Sequence, residues 1–206
     1  MNRIFMALMM MLAALALSGC GGGDDRHSQT ITIDSSAFNG DIEFDSSTGI
    51  FTITENDFSL LAGEDPSRPP TAPRELRTFL DFPLRSVRGT VVQLAILDIL
   101  INSVTVVPPG TSIPILIELV PYPPVPRGLG NVHFDRLASS PIAIQTSISS
   151  ADVNRSVRIN VTALVREALR LNTDFQIRIS QNGGPAPGLI EIDNDLDFPL
   201  LDVTFF

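Results

Sequence analysis

The chain has 206 residues, of which 44% are hydrophobic and 18% charged, and 23 acidic side chains against 14 basic ones leave a net charge of −9. That length holds one domain with a sizeable core and is tight for two, while the acidic balance argues against nucleic acid and against an electrostatic grip on anionic lipid. Tryptophan is absent and there is one tyrosine and one cysteine, so no internal disulfide can form and the usual aromatic platforms for sugars are scarce.

Asn2 and Arg3 make a short positive region, followed by an uncharged apolar run from Ile4 to Leu17. The run is shorter than the roughly 20 residues a membrane-spanning helix needs, and it fits the apolar region of a secretory signal peptide. It ends in Leu17-Ser18-Gly19-Cys20, which resembles the lipobox of bacterial lipoproteins. The resemblance implies cleavage before Cys20, lipid on the cysteine sulfur and a membrane anchor of several acyl chains. Each buried CH₂ contributes about 0.8 kcal/mol, and stable anchoring takes more than one chain. A lone thiol left bare in an oxidising compartment would be reactive, which fits a lipidated Cys20. Lipoproteins of that class kept at the inner membrane tend to have aspartate after the cysteine. Here the position is Gly21, so the expected location is the outer membrane, with the face open.

Gly21 to Gln29 is glycine-rich and polar and reads as a tether. The expected organisation is a signal peptide over 1–19, a lipidated flexible tether over 20–29, and one domain over 30–206. Thr30-Ile31-Thr32-Ile33 alternates as a strand. Asp41–Phe44 and Ile50–Ile53 flank a loop ending in Gly49, a hairpin signature. Residues 64–74 carry four prolines and form a loop. Leu76–Phe82, Val91–Ile101 and Ile113–Val120 read as strands, the second of them central. Pro121 to Pro126 reads as an extended connection.

One short helix is predicted where Val161, Leu164, Val165, Ala168 and Leu169 share a face, with Thr162 as its cap and Asn172 ending it. Arg166, Glu167 and Arg170 then face water. Phe175, Ile177 and Ile179 alternate with polar residues, residues 183–188 make a turn, and Leu189–Ile192 and Leu201–Phe205 complete the strands. The pattern predicts an all-β, two-sheet antiparallel sandwich with one helix.

Three segments, Arg77–Leu84, Asn160–Val165 and Pro199–Phe206, make the chain from about Arg74 onward resemble the DNRLRE family of jelly-roll-like β-sandwich modules. Residues 30–63 then stand as N-terminal strands and a hairpin before a DNRLRE-like part over 74–206. Asp81 and Pro83 depart from the family pattern, as does Ile159 near the place of a frequent tryptophan. The resemblance implies a secreted or surface module, and some members are similar to carbohydrate-binding modules for acidic polysaccharides.

Chemistry-bearing constellations are few. His27 lies in the tether. His133 has Asp135 nearby, but no nucleophile motif accompanies them. The acids of Glu191–Asp197 offer a calcium candidate at Asp193, Asp195 and Asp197, although the EF-hand glycine and final acid are missing; the alternative has the acids solvated and Ile192 and Leu196 turned inward. Arg158 and Arg178 fall on outward strand faces and, with Tyr122, are the candidate ligand-facing residues. The resulting expectation is a lipid-anchored, non-catalytic envelope protein in structural or protein-interaction work, with no nucleic-acid partner and no cofactor beyond the lipid on Cys20. A lipid-tethered polysaccharide-binding module is the alternative.

Overall fold

The computed structural model describes residues 27–108, 112–122, 129–183 and 186–206. The expected signal peptide, Cys20, most of the expected tether and the Pro123–Pro126 part of the expected proline connection lie outside the described residues. Among the described residues twelve strands run β1 (Gln29–Asp34), β2 (Gly40–Asp45), β3 (Ile50–Glu55), β4 (Ser59–Glu64), β5 (Arg74–Phe82), β6 (Val92–Val106), β7 (Ile113–Leu119), β8 (Ala143–Ile148), β9 (Arg155–Asn160), β10 (Phe175–Gln181), β11 (Gly188–Asp193) and β12 (Leu200–Phe205). One α-helix among the described residues, α1 (Thr162–Arg170), lies between β9 and β10. The fold is all-β, and every strand pairing is antiparallel.

The hydrogen-bonded sheet is continuous but folds over on itself into two layers. In the first, β6 is flanked on one edge by β9 and on the other by β11 and β12 laid end to end. These in turn pair with β4 and β1. The second runs β3-β2-β5-β10-β7-β8. The layers join where β4 pairs with β5 at Gly63 and Glu64. Gly63 makes this turn possible: its φ is +126°, and a Cβ there would stand 2.0 Å from the Gly188 carbonyl oxygen. Beyond the seam β4 peels away from β5, and side chains take over from the ladder. The Leu61 N–H donates to Asp41 Oδ2 at 3.2 Å, and the Thr78 hydroxyl donates to the Leu61 carbonyl at 2.9 Å.

Between the layers lies the main core, which includes Leu80, Phe82, Ile99, Ile117, Phe175, Ile177, Ile190, Ile192, Leu201 and Val203. Strand alternation places these side chains on inner faces. The 15-residue β6 keeps its inner face through two register shifts, near Gln93 and near Asn102. Each extra residue resets the alternation, so Val92, Ala95, Leu97, Ile99 and Ile101 point inward before the break and Val104 and Val106 pack inward after it. Helix α1 buries Leu164, Val165 and Ala168 against β6 and β10, and Asn172 ends it at φ 54° as predicted. Thr162 does not cap it. Its hydroxyl accepts the Ala95 N–H at 2.9 Å and donates to Asn160 at 2.7 Å, tying the helix start to β6.

A second, smaller core covers the outer face of the second layer. Ile42 and Phe79 are buried there under Val120, Tyr122, Leu129 and Phe134, with Phe44 and Phe51 packed against them. Phe134 meets Phe44 and Phe51 at 5.8 and 5.4 Å between ring centres. Residues 129–139 are thus a roof laid over β2, β5 and β10.

Candidate functional site

The roof decides the fate of two residues expected to face a ligand. Arg178 does project from the outer face of β10, as its alternation predicts, but it is 7% exposed. Its Nη1 donates to the carbonyls of Phe134 at 2.6 Å and Arg136 at 3.0 Å, and its Nη2 pairs with Glu118 at 2.7 Å. Arg77 joins it: its guanidinium stacks 3.9 Å from the Phe134 ring centre and also donates to the Phe134 carbonyl. Tyr122 is 3% exposed, stands edge-on to Phe79, and burial pushes its hydroxyl well above the usual phenol range. Both residues are therefore structural pins of the roof and do not face solvent. Arg158 is exposed, but it lies on the first layer and pairs with Asp202 at 3.2 Å, so the two candidate arginines sit on different layers.

His133 is part of the roof and is buried within it. Its Nδ1 accepts the Gly130 N–H at 2.9 Å, and burial, reinforced by Arg136, holds the imidazole below its usual value. Asp135 turns instead to Arg77, at 3.1 Å. In the acid-rich loop, Asp193 is buried and accepts the N–H groups of Asp195 at 3.0 Å and Asp197 at 3.4 Å. Its oxygens are engaged in shaping the turn while Asp195 and Asp197 point to water, so the three carboxylates do not converge as the calcium reading requires. No group of three or more acids, histidines or cysteines that fits a metal occurs among the described residues. Ile192 turns inward as expected, but Leu196 is 85% exposed.

That exposed leucine leads to the feature that sequence reasoning missed. Where β11 gives way to β12 along β6, the β1–β2, β3–β4 and β11–β12 loops surround a cleft of about 470 Å³, lined by Asp34, Ser35, Ser36, Ala37, Asn56, Asp57, Phe58, Asn194, Asp195 and Phe198. Phe58 is 71% and Phe198 51% exposed, far outside what core phenylalanines show. A second cleft of about 260 Å³ lies behind the β11–β12 loop and shares Asp34 and Phe198 with the first. The β11–β12 loop is the break between two collinear strands, beside the middle of β6 between Asp98 and Ile101, and its apolar side chains are unsupported by a ladder.

The loops are held in place from below by two buried asparagines. Asn39 Nδ2 donates to Ser35 at 2.8 Å and to Asn194 Oδ1 at 2.9 Å, while its Oδ1 accepts the Asp81 N–H at 3.1 Å. Asn194 donates in turn to the Asp57 carbonyl at 2.8 Å, and its N–H bonds the Phe58 carbonyl at 2.9 Å. Three loops from distant parts of the chain are thereby fixed to one another, so the cleft is preorganised. Replacing Asn39 with alanine leaves several buried polar groups unmet, each costing about 1–3 kcal/mol. The expected outcome is a loss of about 2 kcal/mol in urea unfolding, with faster amide exchange at Asp57 and Phe58. Unchanged exchange there would show that other contacts hold the loops.

Chemically the cleft pairs apolar faces with carboxylates, amides and hydroxyls, and its lining contains neither arginine nor histidine. It is suited to binding. A hint was legible in sequence: Phe58 directly follows Asn56-Asp57, and Phe198 sits in an acid-rich loop, positions where a core side chain has no strand to hold it. No family model and no curated protein sequence matches this chain. The three segments behind the DNRLRE resemblance fall on β5, on the junction of β9 with α1, and on β12.

Proposed function

We propose that this chain is an envelope lipoprotein, cut before Cys20 and lipid-anchored at the outer membrane, whose β-sandwich is a non-catalytic module that holds a protein partner. The observation that carries the binding part is the meeting of exposed Phe58 and Phe198 on one preorganised cleft, with exposed Leu196 lining the cleft that adjoins it. Large apolar side chains grouped at a rimmed cleft mark interaction sites, whereas scattered ones need no explanation. The anchoring part rests on the lipobox resemblance and on Cys20 as the one cysteine. A module for a neutral polysaccharide is the second reading, favoured by phenylalanine faces beside amides and carboxylates. An acidic polysaccharide has lost its support, because Arg178 is buried and the cleft is acidic.

The test places a photo-crosslinking residue at Phe58, at Phe198 or at the exposed roof residue Leu137 in the full chain expressed in a Gram-negative host. A discrete protein adduct from the cleft positions and not from Leu137 is the expected result. Cys20→Ser is expected to abolish palmitate labelling and release the protein from the membrane fraction. Adducts indifferent to position would remove the cleft from the proposal, and labelling that survives Cys20→Ser would remove the anchor.

A further inference from the structure

Resting on the reading of the cleft as a protein-binding site, we infer that its occupant is a basic, partly apolar segment of the partner. The argument is charge complementarity. Elsewhere on the domain most of the described arginines are matched with acids, among them Arg68 with Asp45, Arg74 with Glu43, Arg88 with Asp174, Arg170 with Glu167 and Arg178 with Glu118. Single acids without an ion pair, such as Asp152 and Glu191, occur elsewhere too, but at the clefts four of them gather. Asp34, Asp57 and Asp195 line the first cleft, Asp197 lines the adjoining one, and none of the four forms an ion pair among the described residues.

Carboxylates gathered without counter-charges repel one another and leave a negative potential over the cleft, which a cationic partner relieves on docking. Phe58 and Phe198 supply the second half of the recognition. An aromatic face accepts either an aliphatic side chain or a guanidinium, and beside a carboxylate it favours the latter. The two clefts share Phe198 and Asp34, so the acidic track runs on past one pocket. A chain with arginines spaced along it fills such a track, whereas a single small cation fills one pocket. A neutral sugar would leave the carboxylates without counter-charge, so the peptide is the better match.

The experiment is fluorescence anisotropy of labelled peptide with the full lipidated chain in neutral detergent. The probe repeats Leu-Arg-Gly; a matched Leu-Glu-Gly peptide and a neutral glucan oligosaccharide serve as comparators. Saturable binding of the arginine probe is expected, weakening about tenfold as salt rises from about 50 to about 300 mM. The combined change Asp34→Asn, Asp57→Asn and Asp195→Asn should weaken it by a similar factor, and so should Phe58→Ala with Phe198→Ala, with unfolding midpoints retained.

Loss through the phenylalanine changes without loss through the asparagine changes would overturn the cationic occupant while leaving the cleft as a binding site. Preference for the glucan would overturn the peptide. Binding of the arginine probe that ignores both sets of changes would mean diffuse attraction to an acidic protein, and would overturn the inference. No binding of any probe overturns it too, whereas the proposed protein-binding role stands or falls separately on the position-dependent adducts from Phe58 and Phe198.

Discussion

Arg178→Ala is expected to lower the unfolding free energy by about 3–5 kcal/mol, the range for removing one member of a buried ion pair, and to lower the melting temperature by roughly 10 °C. The cost arises from what is left behind. Glu118 keeps its charge in a half-buried site without its partner, and the Phe134 and Arg136 carbonyls lose the donor that holds them down. Arg77 still reaches the Phe134 carbonyl and the Phe134 ring, so the roof is loosened over β10 and remains attached over β5. The visible consequence should be faster proteolysis within residues 129–139 under native conditions, at protease levels that leave the parent chain intact.

Glu118→Gln offers the discriminating comparison. Its amide oxygen still accepts from Arg178, so the change removes charge and keeps the hydrogen bond. It should cost clearly less than Arg178→Ala. If the two substitutions cost the same, the ion pair is the dominant contribution and the carbonyl clamps matter little. If Arg178→Ala leaves both midpoint and proteolysis unchanged, the roof is held by its aromatic contacts alone. Lysine at 178 is no conservative replacement, because one ammonium cannot present the planar donor fork that reaches Glu118 and two carbonyls together.

The same residue shows how far sequence pattern reaches. Alternation correctly put Arg178 on the outer face of β10 and Ile177 and Ile179 on the inner one, because that depends only on the two-residue period of a strand. Whether an outer face meets water depends on a segment some 40 residues away, and no local pattern encodes that. Tyr122, expected to face a ligand, is buried for the same reason. The β2–β3 hairpin, β5, β7, β10 and the helix were legible because their apolar periods are unbroken and their turns carry Gly49 or Asn172 in the left-handed region. The strand reading of β6 stopped at Ile101 because the bulge near Asn102 resets the period. Strands β4 and β8 escaped notice for opposite reasons: β4 is apolar on both faces and ends at the Gly63 kink, whereas β8 is a mostly exposed edge strand with few apolar residues. The cleft was the least legible feature, since Asn39 and Asn194 join loops 155 positions apart.

At pH 8, Asp41→Asn is expected to make the domain more stable by up to about 3 kcal/mol, and at pH 4 to leave stability near that of the parent. Asp41 is buried at the seam where β4 leaves β5. Burial, the largest influence, pushes its carboxyl up from 3.8 to about 6, and the neighbouring charges of Asp57 and Glu43 push the same way. The bond from the Leu61 N–H and one with Thr54 pull it down only in part. Between those two values the folded chain holds a proton on Asp41 that the unfolded chain has released. Stability from this group is therefore fully present below about pH 3.8 and is lost as pH rises through 6. Asparagine keeps an oxygen for the Leu61 N–H and offers its amide to the Thr54 hydroxyl, with no charge to desolvate. Urea unfolding of both proteins from pH 4 to pH 8 gives a difference curve from which groups common to both, His133 among them, cancel. That curve should be flat near zero at the acid end and climb through pH 5 to 6. A constant offset would mean that Asp41 acts by packing alone, and a fall with rising pH would mean that the ionised carboxylate is what holds β4 to the seam.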